Sequence, residues 1–270
     1  MSLQKYQKIN QLLQWCKPYT AITQKWLAEK DYSRQLLKLY VKSHWLKKIG
    51  AGAYVRVGDT LSWEGALYTL QNQLQLPIHV GSKTALQLLG KAHFVALSPE
   101  KQTVELHIHT SHKRAIIPKW FLEQEWGNAI RIHYSCPFSK NEIGLQKEKI
   151  LEQNLDINIS SPERAMLEIL IGVSDTSTLS EEFYLMEGLV SLRPDLVQQL
   201  LESCNSFKAK RLFLLLAEYF HHTWFEMLDL DRIDLGKGKR KIGSGGKYYP
   251  KYQVSIPPLP DDYLEQEEIP

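Results

Sequence analysis

The sequence predicts an α+β protein: an N-terminal winged helix-turn-helix domain, then a mixed α/β C-terminal domain ending in a helical region. Three observations predict it. Short helical periodicities and a glycine-turn hairpin fill residues 1–60, strand and helix patterns alternate up to Tyr134, and helical patterns follow one another from Ser160 to His221. The expected division is 1–60 for the winged helix, 61–90 for a connecting helical region and 91–270 for the second domain.

Leu3, Tyr6, Ile9, Leu12, Leu13 and Cys16 recur at helical spacing and predict a first helix, stopped near Pro18. Thr23 suits the N-cap of a short second helix reaching Glu29, because its hydroxyl accepts from orphan amides of the first turn. Ser33 suits the N-cap of a third, from Arg34 to about Trp45. On it Leu37, Tyr40, Val41 and His44 form one face, and Arg34, Lys38 and Lys42 follow one another at four-residue spacing on the other. Leu46 to Ile49, Gly50-Ala51-Gly52 and Ala53 to Val57 then read as strand, glycine turn and strand. A basic hairpin directly after a basic helix has the form of a wing. In such a module the helix enters the major groove, where Ser33, Arg34, Gln35 and Lys38 near its start reach base edges. Lys42, Lys47, Lys48 and Arg56 are then expected on phosphates, where they set register.

Beyond the hairpin, residues 62–74 are expected to be helical with Trp63, Ala66, Leu67 and Leu70 inward. A strand at Pro77 to Val80 and a helix from Ser82 to Leu89, ended by Gly90, follow. Strand patterns occupy His93 to Leu97, Val104 to Ile108, Ala115 to Ile117 and Ile130 to Tyr134, with a helix at Lys119 to Trp126. Ser161 and Pro162 make a cap and first turn, and Ser160 with Glu163 offers an alternative capping box. Helices near 163–172, 180–190, 195–204 and 207–221 come next, with Leu212, Leu215, Leu216 and Tyr219 as core. A basic glycine-rich segment, a strand at Tyr252 to Ile256 and an acidic tail complete the chain.

Charge separates these parts. Residues 1–60 hold eleven Lys and Arg against three Asp and Glu, +8, whereas the whole chain carries +3, so the remainder carries −5. That split suggests a nucleic-acid-binding module joined to something else. The alternative is a solvated lysine-rich face, or a winged helix used for protein contacts. Lys237, Lys239, Arg240, Lys241, Lys247 and Lys251 make a second basic cluster, read either as a solvated loop or as a polyanion contact. No apolar run is long enough for a membrane span, and the first residues lack a signal-peptide core. Cys16, Cys136 and Cys204 form neither a metal-type pair nor an even disulfide set, so a reduced cytoplasmic protein without cofactor is expected.

Enzymatic patterns are incomplete. Gly81-Ser82-Lys83-Thr84 resembles the end of a phosphate-binding loop but lacks the glycine that opens the cradle. A nucleotidyltransferase needs paired carboxylates for magnesium after such a Gly-Ser turn. Here Glu105 is followed by His107 where the second acid belongs. His107, His109 and His133 lack the further ligands zinc wants and are read as satisfied or exposed. His221 and His222 are read as partners of a helix C-terminal dipole.

Three segments together resemble the AbiEi-type antitoxins of type IV toxin–antitoxin systems. The first is the Gly50-Ala51-Gly52-Ala53-Tyr54 hairpin leading into Trp63-Glu64-Gly65-Ala66-Leu67 and Val80-Gly81-Ser82-Lys83-Thr84. The second is Ser161-Pro162-Glu163-Arg164-Ala165. The third is Leu235-Gly236-Lys237-Gly238-Lys239-Arg240 with Gly245-Gly246-Lys247-Tyr248-Tyr249-Pro250. The resemblance implies an autoregulator that binds operator DNA, often as inverted repeats, and neutralises a nucleotidyltransferase-like toxin. A regulator sensing a small ligand through its α/β domain and an active nucleotidyltransferase are the competing readings.

Overall fold

The computed structural model describes residues 3–91, 103–109, 117–135, 137–150, 154–174, 179–243 and 246–259. Its helices and strands are mixed in the first part and segregated later, as expected of an α+β chain. They are α1 (Leu3–Trp15), β1 (Ile22–Thr23), α2 (Gln24–Ala28), α3 (Arg34–Lys42), β2 (Leu46–Gly50) and β3 (Ala53–Arg56). Next come α4 (Trp63–Asn72), β4 (Ile78–Val80), α5 (Ser82–Leu88), β5 (Thr103–His109), α6 (Lys119–Leu122), β6 (Ala129–Ser135), β7 (Leu145–Ile150) and β8 (Leu155–Ser160). The remainder is α7 (Pro162–Gly172), α8 (Ser180–Glu187), α9 (Pro194–Ser203), α10 (Phe207–Tyr219), β9 (Arg240–Lys241), β10 (Lys247–Tyr249) and β11 (Val254–Ile256). The strands form sheets ordered β1-β3-β2, β6-β5-β4-β8-β7 and β10-β11-β9. Two compact units emerge, one of residues 1–79, 108–130 and 147–158, the other of 80–107, 131–146 and 159–270.

In the first unit, the three helices and the hairpin close over one core of Ile9, Leu12, Cys16, Ile22, Leu27, Leu37, Tyr40, Leu46 and Tyr54. Helix α4 seals the outer edge of that sheet. Thr69 Oγ1 accepts from the Ala21 amide at 3.1 Å and donates to its carbonyl at 2.9 Å. Gln73 accepts from the Thr23 amide at 2.8 Å through Oε1. Side chains of a helix thus occupy the place of a fourth strand and leave β2 as the open edge.

In the second unit, α7 and α10 carry the buried apolar surface, with Met166, Leu167, Leu170, Leu212, Phe213 and Leu216 fully buried. Tyr219 is only half-buried, since α10 ends there.

Several expectations are corrected. Helix α3 ends at Lys42, and His44 is exposed at a left-handed φ of 59°, off the buried face. Helix α6 is a single turn, because the Trp126 indole folds back to donate to the Phe121 carbonyl and Gly127 turns the chain at φ 77°. Strands β7 and β8 were not anticipated. Ser161 caps α7 as its place before Pro162 implies, and the alternative Ser160 frame is not used. His222 aims its ring at the Met186 carbonyl, 2.9 Å away, instead of at its own helix end. The expected strands at 93–97 and 115–116 lie outside the described residues, and Ile117 is not in a strand.

Candidate nucleic-acid interface

Both caps form as the sequence requires. Thr23 accepts from the Trp26 amide at 3.3 Å and Ser33 from the Leu36 amide at 3.2 Å. Each satisfies an orphan donor of a first turn and fixes where its helix begins. With Leu37 and Tyr40 buried, helical geometry sends Arg34, Gln35, Lys38 and Lys42 outward, and all four are exposed. Ser33 is exposed as well, but its hydroxyl is engaged in the cap.

The hairpin pairs Lys47 with Val55 and Lys48 with Tyr54, leaving both lysines exposed on the open edge strand. Arg56 sits at its base, where Nε and Nη2 both donate to Asp59 Oδ1, at 3.1 and 2.8 Å. That ion pair raises the guanidinium pKa through the hydrogen bond and charge of Asp59, and it occupies part of the fork expected on phosphate. The turn is short. The Gln24 amide donates to the Gly52 carbonyl at 2.7 Å, tying the turn to the start of α2. Gly52 supplies φ 73°, while Gly50 is demanded by packing: a Cβ there would stand 2.5 Å from Trp120 Cβ. Trp120, Pro118, Lys25, Arg34 and Gly52 contribute to a cleft of about 750 Å³ beside the start of α3. Sequence reading missed Trp120 as a hairpin support, since nothing local links it to Gly50.

The second basic cluster gathers around a small sheet, with Arg240, Lys241 and Lys247 on its strands and Lys237 and Lys239 in the turn ahead of β9. β11 pairs antiparallel with β10 and parallel with β9. Its anchor is Arg211, 1% exposed, a residue the sequence did not single out. The Arg211 guanidinium donates to the carbonyls of Leu235, Gly238, Gln253 and Gly236 at 2.9, 2.7, 2.9 and 3.2 Å. Burial, and then the nearby Arg240 charge, pull its pKa below the ordinary guanidinium value. Gly236 and Gly238, at φ 68° and 81°, let successive carbonyls turn toward that one cation. Lys237, Lys239, Arg240, Lys241 and Lys247 are exposed around it, whereas Lys251 pairs with Glu218.

The Ser161-Pro162-Glu163-Arg164 start of α7 is structural. Buried Arg164 donates through Nε to Glu168 at 2.8 Å and through Nη1 to the Asn141 and Ile143 carbonyls at 2.6 and 2.7 Å. Glu168 also accepts from the Ser160 hydroxyl and the Ser82 amide. Buried Glu163 binds the Arg193 fork at 3.0 Å. Burial raises the Glu163 pKa, but the bonds from Arg193 outweigh it and hold the carboxyl below its usual range.

The enzyme-like residues meet around this knot. Ser82 Oγ lies 2.7 Å from His107 Nε2, and His107 stacks on His133 at 4.5 Å between ring centroids. Glu105 lies 3.5 Å from His133, and burial of its carboxyl is outweighed by His133 and the Lys83 amide, which lower its pKa. Among the described residues no group of three or more His, Cys, Asp or Glu is gathered as a metal site. Burial pushes the Cys16 thiol to about 12, so it is protonated and unreactive.

Residues 5–97 match the family model described as transcriptional regulator, AbiEi antitoxin N-terminal domain. Residues 102–257 match that described as transcriptional regulator, AbiEi antitoxin, type IV TA system. Among solved structures, the RV2827C protein from Mycobacterium tuberculosis is similar at a TM-score of 0.57 and 11% identity, covering 93% of this chain and 90% of that one. That likeness is one of fold. No curated protein matches the sequence. No helix among the described residues is long and apolar enough to cross a membrane.

Proposed function

The chain belongs to the AbiEi antitoxin family of transcriptional regulators of type IV toxin–antitoxin systems, and from that premise we propose that it represses its own operon and neutralises a nucleotidyltransferase-like toxin. Residues 1–60 are read as the DNA-binding part, 61–90 as the connection and 91–270 as the antitoxin part. It acts in the cytoplasm as a regulator without catalytic residues, metal or cofactor.

The observation that carries the reading is the single outward ridge of Arg34, Gln35, Lys38 and Lys42 on α3, with Lys47 and Lys48 exposed on β2. A helix of this kind is narrow enough for the major groove, and residues of its first turn are those nearest the bases. Ser33, Arg34, Gln35 and Lys38 are assigned to base edges, and Lys42, Lys47, Lys48 and Arg56 to phosphates. Because Arg56 already binds Asp59, its share of the phosphate charge is the smallest. Lys237, Lys239, Arg240, Lys241 and Lys247 are assigned to a polyanion contact that serves neutralisation.

The test has two arms. In a mobility shift, the full chain is titrated with DNA from upstream of its own reading frame, where inverted repeats are the expected operator. In cells, it is co-expressed with the adjoining toxin-like gene. Retardation of that DNA together with restored growth supports the reading. Retardation without rescue, beside an unrelated metabolic gene, supports a ligand-sensing regulator instead.

A further inference from the structure

The outer face of the C-terminal sheet carries an aromatic residue that the polyanion reading of its lysines leaves unused. In β11, Val254 and Ile256 are fully buried, so Ser255 between them faces outward. Ser255 is in register with Tyr248 on one side and Lys241 on the other. Residues directly opposite across a ladder share a face, so Tyr248, Ser255 and Lys241 form one outward row. Tyr248 is 37% exposed, and Lys239 Nζ lies 5.0 Å from its ring centroid. No Asp or Glu occurs between residues 235 and 259, which contain six Lys and Arg. The Arg211 clamp fixes the chain ahead of β9 and, at Gln253, ahead of β11, so these two strands are held in place.

We propose that this face is a stacking platform for single-stranded nucleic acid. The proposal rests on the reading of the basic cluster as a polyanion contact and specifies its ligand class. The physical reason is the aromatic ring. Lysines alone would serve any polyanion, but an exposed tyrosine presents a ring on which an unpaired base stacks once the Lys239 ammonium above it moves onto a phosphate, while the backbone follows the flanking charges. A duplex buries its base faces in its own stack and cannot use the ring. A membrane is disfavoured because the apolar residues of β11 point inward. Tyr248 is the stacking group, and Lys239 and Lys241 are the phosphate contacts.

Fluorescence anisotropy of the full chain tests this with labelled oligouridylate and oligothymidylate of about 12 nucleotides, a length suited to such grooves. Duplex operator DNA is measured in the same samples. Tyr248→Ala is expected to weaken single-strand binding at least about fivefold, with Tyr248→Phe close to wild type and duplex affinity unchanged. Lys239→Ala with Lys241→Ala is expected to lower the slope of log K against log salt by about 1.4, two phosphates on a single strand. Tighter binding of the ribo-oligomer assigns RNA, equal binding assigns either strand, and both support the platform. Single-strand affinity unchanged in Tyr248→Ala overturns it, as does a Tyr248→Phe variant as weak as Ala. Loss of duplex binding in wild type with single-strand binding intact would sink the operator reading alone.

Discussion

Replacing Arg211 with alanine removes one buried cation and strands four carbonyls from two stretches of chain, at Leu235, Gly236 and Gly238 and at Gln253. A hydrogen bond to a charged group contributes about 1.5–3 kcal/mol net. Four such bonds do not add, because all fail together and water reaches carbonyls near the surface. A loss of about 3–4 kcal/mol is therefore expected. Lysine is the sharper probe. An ammonium has three donors at one point and lacks the planar fork, so Arg211→Lys abandons at least one carbonyl and costs about 1.5–3 kcal/mol. Urea unfolding followed by circular dichroism measures both. Hydrogen exchange locates the effect: the Arg240 and Ile242 amides, bonded to the Gln253 and Ser255 carbonyls, should exchange faster than those of α3. A loss under about 1 kcal/mol for alanine would refute the clamp, as would a lysine variant as stable as wild type.

Three further expectations follow from the same contacts. Glu163 is held below the ordinary carboxyl pKa of 4.5 and His222 below the ordinary imidazole pKa of 6.5, the latter by burial despite its bond to Met186. For both, the unfolded chain binds the proton more readily. Stability should therefore fall from about pH 6.5 downward, more steeply below about 4.5, and Glu163→Gln should flatten the lower limb in urea midpoints taken across pH; midpoints that rise on acidification would contradict this. Gly50→Ala forces a Cβ onto Trp120 Cβ and should destabilise by about 1–3 kcal/mol, seen as a lower thermal midpoint, whereas an unchanged midpoint would remove Trp120 as a hairpin support. Lys47→Ala with Lys48→Ala should reduce the salt slope for duplex DNA by about 1.8, and an unchanged slope would take β2 off the backbone.

Residues 1–60 are legible in the sequence because their signals are local. A threonine and a serine ahead of short amphipathic runs mark both helix starts, and Gly50-Ala51-Gly52 marks the hairpin turn. Strand β8 also carries a local signal, with Leu155, Ile157 and Ile159 alternating inward directly ahead of the Ser161-Pro162 cap, and the sequence reading passed over it. Edge strand β7, Leu-Gln-Lys-Glu-Lys-Ile, is polar on account of its position and reads as loop. The order of the basic cluster is not legible locally, because it comes from Arg211, which lies 25 residues before Gly236. Glycines that serve a distant guanidinium look the same in sequence as glycines that serve flexibility. Of the candidate interface, the ridge on α3 was visible in advance, but the Arg56–Asp59 pair and the Trp120 support required long-range or side-chain geometry.

The central claim is that the start of α3 reads base edges, and competition mobility shift on Arg34→Ala and Gln35→Ala tests it most directly. Both side chains are exposed, so neither change should disturb the fold. The account predicts that each variant loses about 1–3 kcal/mol of preference for operator over scrambled DNA, the worth of a bidentate base contact. Affinity for scrambled DNA should fall far less than affinity for operator. Equal weakening on both DNAs would contradict the account, placing Arg34 and Gln35 on the phosphates and leaving sequence recognition to another part of the chain.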